Sequence, residues 1–143
     1  MQNLNRFEEA IASYDMAIKQ NPTYSVAYNN RGNCLERLNR LEEALASYDM
    51  AIKHNPTYSN AFLGRGVCLR KLNRFDEALA SFDMATKHNP TFTEAFFAKG
   101  IGLRDLNRLE EALVAYDMAL KHNPNHSLAI RNRKEILERL KSK

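Results

Sequence analysis

Four near-copies of one thirteen-residue string recur along the chain: SYDMAIKQNPTYS at 13–25, SYDMAIKHNPTYS at 47–59, SFDMATKHNPTFT at 81–93 and AYDMALKHNPNHS at 115–127. Each begins 34 residues after the last. A fixed period of this length restricts the fold severely. One such unit cannot bury its own apolar face, so like units must stack and cover one another. The period divides the chain into units 25–58, 59–92 and 93–126, flanked by a half unit at 1–24 and a last segment at 127–143.

Within the first full unit, Tyr28, Gly32, Leu35 and Leu38 fall at steps of three and four, the spacing of one helix face. A second series follows at Leu41, Ala44, Leu45, Tyr48, Ala51 and Ile52. Between them stands Asn39, the non-glycine type most at ease in the left-handed conformation that ends a helix; Asn5, Asn73 and Asn107 recur there. The second helix must stop at Asn55-Pro56, because a residue preceding proline is pushed out of the helical region. Ser25, Ser59, Thr93 and Ser127 stand where N-caps are expected. Glu42 and Glu43 open the second helix while Lys53 and His54 close it, as the macrodipole favours. Each unit therefore reads as a helical hairpin.

Gly32, Gly66 and Gly100 lie mid-helix, where glycine costs roughly 0.5–1 kcal/mol relative to alanine. Close approach of the partner helix would offset that cost, and the expected point of contact is its own small residue, Ala44, Ala78 or Ala112. In the last segment Lys134 takes the glycine position, and no second helix follows it.

An aromatic (Tyr28, Phe62, Phe96), then glycine, leucine, alanine, a second aromatic (Tyr48, Phe82, Tyr116), alanine and proline make a pattern that resembles the tetratricopeptide repeat over essentially the whole chain. The resemblance implies an all-α, right-handed α-solenoid of antiparallel helix hairpins whose first helices line a concave side. One departure is consistent. Where the family usually has leucine before the glycine, this chain has Arg31, Arg65, Lys99 and Arg133. Sixteen residues before each lies an aspartate, Asp15, Asp49, Asp83 or Asp117, so a ladder of ion pairs across unit boundaries is expected.

The amino end begins partway through a unit, and a lone second helix over Phe7–Gln20 is expected there. Its apolar face, with Phe7, Ile11 and Tyr14, would lack cover on one side, which makes self-association through this half repeat an expectation. Residues 127–143 read as a capping helix with Leu137 and Leu140 inward.

Nothing in the sequence carries catalysis or a cofactor. The acidic pairs Glu8-Glu9, Glu42-Glu43, Asp76-Glu77 and Glu110-Glu111 repeat with the period, as helix-start charges do. His122 and His126 flank a proline turn, which argues against a helical metal pair. Cys34 and Cys68, one unit apart, should stand ~8–10 Å from each other, beyond the ~7 Å reach of a disulfide. No phosphate-binding glycine loop occurs, no apolar run approaches the ~18 residues of a membrane span, and the start lacks a signal peptide's apolar stretch. A cytoplasmic protein is the expectation. A net charge of +4 suggests nucleic acid, but the cations are spread over two turn ladders with Asp and Glu interleaved, which argues against it.

The remaining function is protein–protein interaction. On the first helices, the positions not needed for packing are Asn29, Asn33, Glu36 and Arg37, then Leu63, Val67, Arg70 and Lys71, then Phe97, Ile101, Arg104 and Asp105. Asn29 and Asn33 could grip a peptide backbone through paired amide hydrogen bonds. Leu63, Val67, Phe97 and Ile101 would form an apolar strip rimmed by Arg37, Arg70, Lys71 and Arg104, suited to a ligand with apolar anchors and acidic flanks. Repeats of this family that clamp the Glu-Glu-Val-Asp tails of chaperones use Lys and Asn, then Asn, then Lys and Arg. The matching places here hold Asn29 and Asn33, Gly64, Glu94 and Ala98, so tail clamping is not expected. The alternatives are a spacer that oligomerises a larger protein and an array tethered to an enzyme elsewhere.

Overall fold

A computed structural model describes residues 2–142, with side chains from Leu4 to Ser142; the outermost residues of the expected array, Met1 and Lys143, lie outside the described residues. Among the described residues there are eight helices and no strand: α1 (Gln2–Gln20), α2 (Ser25–Arg37), α3 (Leu41–His54), α4 (Ser59–Lys71), α5 (Phe75–His88), α6 (Thr93–Asp105), α7 (Leu109–His122) and α8 (Ser127–Lys141). None of them is long and apolar enough to cross a membrane. The architecture is the expected all-α helical repeat. Each first helix packs on its own second helix (α2 on α3, α4 on α5, α6 on α7), and each second helix packs on the next first helix. First helices also adjoin one another, α2 with α4 and α4 with α6, which puts them on the more closely spaced side of the stack.

The turns inside the hairpins are local chemistry. Asn39, Asn73 and Asn107 have φ of 60°, 62° and 60°. In that conformation the Asn39 N–H donates to the Glu36 carbonyl and the Arg40 N–H to the Leu35 carbonyl, both at 2.9 Å, closing the end of α2. Asn5 does not turn: it lies inside α1, which runs unbroken from Gln2 rather than starting at Phe7.

The turns between hairpins correct the expectation for the caps. Ser25, Ser59, Thr93 and Ser127 are already the first helical residues, and the N-cap positions are Tyr24, Tyr58, Phe92 and His126. Only His126 caps with its side chain, its Nδ1 accepting the Ala129 N–H at 3.1 Å. Elsewhere the asparagine before the proline organises the loop. Asn55 Oδ1 accepts the Thr57 N–H at 3.3 Å and the Asn55 carbonyl accepts the Tyr58 N–H at 3.1 Å. With the polar work done by Asn, the cap position is free to hold an aromatic that packs, as Tyr58 and Phe92 do.

The mid-helix glycines meet the partner helix closely, and the atoms nearest a Cβ placed there belong to the aromatic of that helix. A Cβ on Gly32 would stand 2.8 Å from the Tyr48 ring, one on Gly66 2.5 Å from the Phe82 ring, and one on Gly100 2.6 Å from the Tyr116 ring. Ala44, Ala78 and Ala112 lie one turn away on the same helices, fully buried. The space a side chain would take is therefore occupied by the aromatic of the second helix, and those rings are among the largest fully buried side chains. His54, His88 and His122 cover the other aromatic of each unit, stacking on Tyr28, Phe62 and Phe96 at centroid distances of 5.8, 5.9 and 5.8 Å.

The ion-pair ladder is present at all four boundaries: Arg31–Asp15 at 2.6 Å, Arg65–Asp49 at 2.7 Å, Lys99–Asp83 at 2.7 Å and Arg133–Asp117 at 2.5 Å. The aspartates are half exposed, so each pair contributes at most about 1 kcal/mol. The guanidinium does more than pair. Arg65 Nε reaches Asp49 on α3 while its Nη1 donates to the buried Ser81 Oγ on α5 at 2.7 Å, joining three helices; Arg31 does the same with Asp15 and Ser47. The guanidinium's separate Nε and Nη1 donors suit two partners on different helices, and where Lys99 replaces arginine the serine position is Ala115. Arg65→Lys is expected to cost about 1 kcal/mol by leaving Ser81 without its donor, with Ser81→Ala restoring much of it, both read from urea unfolding.

Candidate functional site

The inner surface between α2 and α4 holds a recess of about 390 Å³. From α2 it receives Asn29, Asn30, Asn33 and Glu36; from α4, Asn60, Leu63, Gly64 and Val67; the Tyr58 cap residue and the Tyr48 hydroxyl complete it. Helical spacing places Asn29, Asn33 and Glu36 on one stripe of α2, and Leu63 and Val67 one turn apart on α4. One wall is thus polar and the other apolar.

Gly64 makes the recess possible. A Cβ there would stand 2.4 Å from the Tyr48 ring and 2.8 Å from its hydroxyl, so only glycine lets the Tyr48 tip reach the inner surface. The hydroxyl donates to Asn33 Oδ1 at 2.6 Å. In the next unit Phe82 lacks a hydroxyl, the Asn33 position is Val67 and the Gly64 position Ala98; in the third, Tyr116 keeps its hydroxyl and the two places hold Ile101 and Asn132. Burial holds the Tyr48 hydroxyl far above the usual tyrosine range, with nearby Cys68 and Glu36 acting in the same direction. It is therefore a neutral donor. Burial also raises Tyr58, against a lowering by hydrogen bonding to Asn29, and pushes the Cys68 thiol up to about 12. A thiol so protonated is a core side chain rather than a nucleophile.

Asn29 is the unusual member. It is 4% exposed, and its Oδ1 has no hydrogen-bond partner.

Of the ten residues expected to contact a ligand, the structure brings four into this recess: Asn29, Asn33, Leu63 and Val67. The others sit apart from it. Phe97 packs against His126 at 4.7 Å and Tyr116 at 5.9 Å, and Ile101 packs half-buried on the core. Arg70 pairs with Asp105 at 2.8 Å and Lys71 with Glu36 at 3.2 Å, each joining neighbouring first helices. Arg37 is exposed and Arg104 half-buried; among the described residues neither has a carboxylate within 4 Å. Two of the four rim cations are thus neutralised, because residues 35 apart face each other across adjacent first helices. Asn30, Tyr48, Tyr58, Asn60 and Gly64 are members of the recess that the sequence does not single out as ligand contacts. Gly64 carried the one available signal, a glycine out of step with the period, where other units have Asn30, Ala98 and Asn132.

Family models described as tetratricopeptide repeat match residues 25–58, 59–92 and 93–126, and one described as TPR repeat matches 3–39. Among curated proteins, none matches the chain. Among solved structures, the first TPR domain of the human RPAP3 protein is 24% identical, with a TM-score of 0.81 over 85% of this chain and 95% of that one. The first TPR of Spaghetti (RPAP3), bound to the HSP90 peptide SRMEEVD, is 23% identical, with a TM-score of 0.79 over 81% of this chain and 92% of that one. MamA is 16% identical, with a TM-score of 0.80 over 95% of this chain and 90% of that one.

Proposed function

The chain belongs to the tetratricopeptide repeat family, and on that footing we propose that it is a non-catalytic, cytoplasmic protein-interaction module whose inner face binds a peptide or protein segment. The observation that carries this reading is the recess between α2 and α4, where an unmatched buried acceptor on Asn29 stands opposite the half-buried apolar side chains Leu63 and Val67. A segment laid across the recess would cover Leu63 and Val67 and give Asn29 its missing donor. The ligand of the RPAP3 repeat is an acidic peptide. Here Asn29, Asn33, Gly64, Glu94 and Ala98 offer no cation at the corresponding places, so an acidic chaperone tail is not the ligand we propose. Nucleic acid is disfavoured by the same pairing that ties Arg31, Arg65, Lys99, Arg133, Arg70 and Lys71 to carboxylates.

Peptides selected from a displayed random library should bind the chain, and Leu63→Asp should weaken them by roughly tenfold or more while the urea midpoint shows the fold intact. Equal binding to the Leu63→Asp protein would place the ligand elsewhere. Phe97 is a poorer probe than the sequence suggests, because its contacts with Tyr116 and His126 make it structural.

A second reading, self-association through the amino-terminal half repeat, is favoured by Leu4 and Met16, which are 53% and 58% exposed on α1. Ile11 is covered, so the test moves to these two residues. Sedimentation at rising concentration should show association that Leu4→Lys with Met16→Lys removes; a monomer throughout would contradict it.

A further inference from the structure

We propose that the array continues from one copy of the chain to another, α1 of one copy closing on α8 of the next as the second helix of a hairpin. This rests on the reading of α1 as a self-association surface and names its occupant. Within the chain, three first helices close on second helices of their own, α2 on α3, α4 on α5 and α6 on α7. Two of the described helices have no such partner. The sequence of α1 is that of a second helix; it packs on α2, which opens the following unit, and has no first helix of its own. The sequence of α8 is that of a first helix; it packs on α7 and has no second helix of its own.

The two faces match place by place. Met16 is 58% exposed on α1 and Ile130 is 49% exposed on α8. In the complete hairpins the same two places are neighbours: Met84 packs on the cluster that holds Phe62, Met50 lines a hollow with Tyr28, and Met118 lines one with Phe96. A polar contact is divided in the same way. Arg31 and Arg65 each donate Nη1 to a serine on their own second helix. Their counterpart on α8, Arg133, hydrogen-bonds to Asp117 behind it, and no second helix supplies its serine. The counterpart serine on α1, Ser13, is exposed, with no arginine donating to it among the described residues. A second copy brings Ser13 to Arg133 and Met16 to Ile130 in one register. Lys134 limits the fit, since it takes the place of the glycine against which Tyr14 of the other copy would close. The contact between copies is therefore weaker than the hairpins inside the chain. Head-to-tail contacts of this kind give an open series rather than a closed dimer.

The test mixes two variants, each blocked at one face. Met16→Lys removes the α1 face and Ile130→Lys the α8 face; both side chains are exposed, so the helices should be kept, which circular dichroism checks. In sedimentation velocity the unaltered chain should form a series that grows with concentration. Each variant alone should stay monomeric. An equimolar mixture should give one-to-one pairs and nothing larger, because such a pair is left with blocked faces only. Lys134→Gly in the otherwise unaltered chain should tighten the association about tenfold, the scale of relieving one overpacked contact. Association that persists in Ile130→Lys alone would overturn the proposal and leave α1 as a self-association surface with another occupant. A mixture that stays monomeric while the unaltered chain associates, or association no tighter in Lys134→Gly, would overturn the proposal in the same way. A monomer at every concentration, or association that persists in Met16→Lys alone, would overturn both readings.

Discussion

Phe82→Ala is expected to lower the unfolding free energy by about 3–5 kcal/mol, the largest effect of any single substitution considered. Phe82 is fully buried in the middle of the array, in the cluster that also holds Leu45, Leu69, Leu79 and Leu103. Its ring closes on Gly66 of its own unit and reaches toward Gly102 of the next, where a Cβ would stand 3.9 Å away. Removing it opens a cavity at an intra-unit and an inter-unit contact together. Because stability in such arrays is a sum of unit and nearest-neighbour terms, losing both at the central unit should also broaden the urea transition, as the two ends unfold with less mutual dependence. A loss below ~1 kcal/mol with an unchanged slope would show that the ring is not a keystone of the stack.

The second large effect comes from adding a single methyl group. Gly66→Ala should cost about 1–3 kcal/mol despite the gain of roughly 0.5–1 kcal/mol in helix propensity. The new Cβ would lie 2.5, 2.7 and 3.0 Å from three atoms of the Phe82 ring. That ring has no free space into which to retreat, since it is 0% exposed, so the helices must separate or the ring must leave its preferred rotamer. At an exposed mid-helix glycine the same change would stabilise; the sign therefore reports the packing. Thermal or urea unfolding of Gly66→Ala beside Gly100→Ala measures it at two equivalent places, where the Tyr116 ring stands 2.6 Å from the absent Cβ.

What the residues disclosed in advance was mostly local or periodic. The left-handed asparagines at 39, 73 and 107 follow from one residue's conformational preference, and the Arg–Asp ladder follows from a sixteen-residue offset repeated four times. For the glycines, spacing points to Ala44 and passes over Tyr48, which lies one turn further along the same face of α3 and holds the atoms nearest a Cβ at Gly32. Spacing alone cannot say which of them stands opposite Gly32. The caps were misplaced by one residue because an asparagine before proline already satisfies the loop, a cooperation among Asn55, Thr57 and Tyr58 that no single residue announces. For the site, position on the inner helices picked out Asn29, Asn33, Leu63 and Val67. The pairing of Lys71 with Glu36 and of Arg70 with Asp105 was hidden, because it depends on how closely consecutive first helices approach, a property of the assembled stack.

The central claim is that the second-helix aromatic occupies the volume that a side chain on the first-helix glycine would need, so that hairpin closure fixes both the stack and the inner surface built on it. A double-mutant cycle between Gly66→Ala and Phe82→Ala, read by urea unfolding at low temperature, tests this most directly. The account predicts that Gly66→Ala costs about 1–3 kcal/mol when Phe82 is present and becomes neutral or stabilising by about 0.5–1 kcal/mol once the ring is gone. An equal effect of Gly66→Ala in both backgrounds would contradict it.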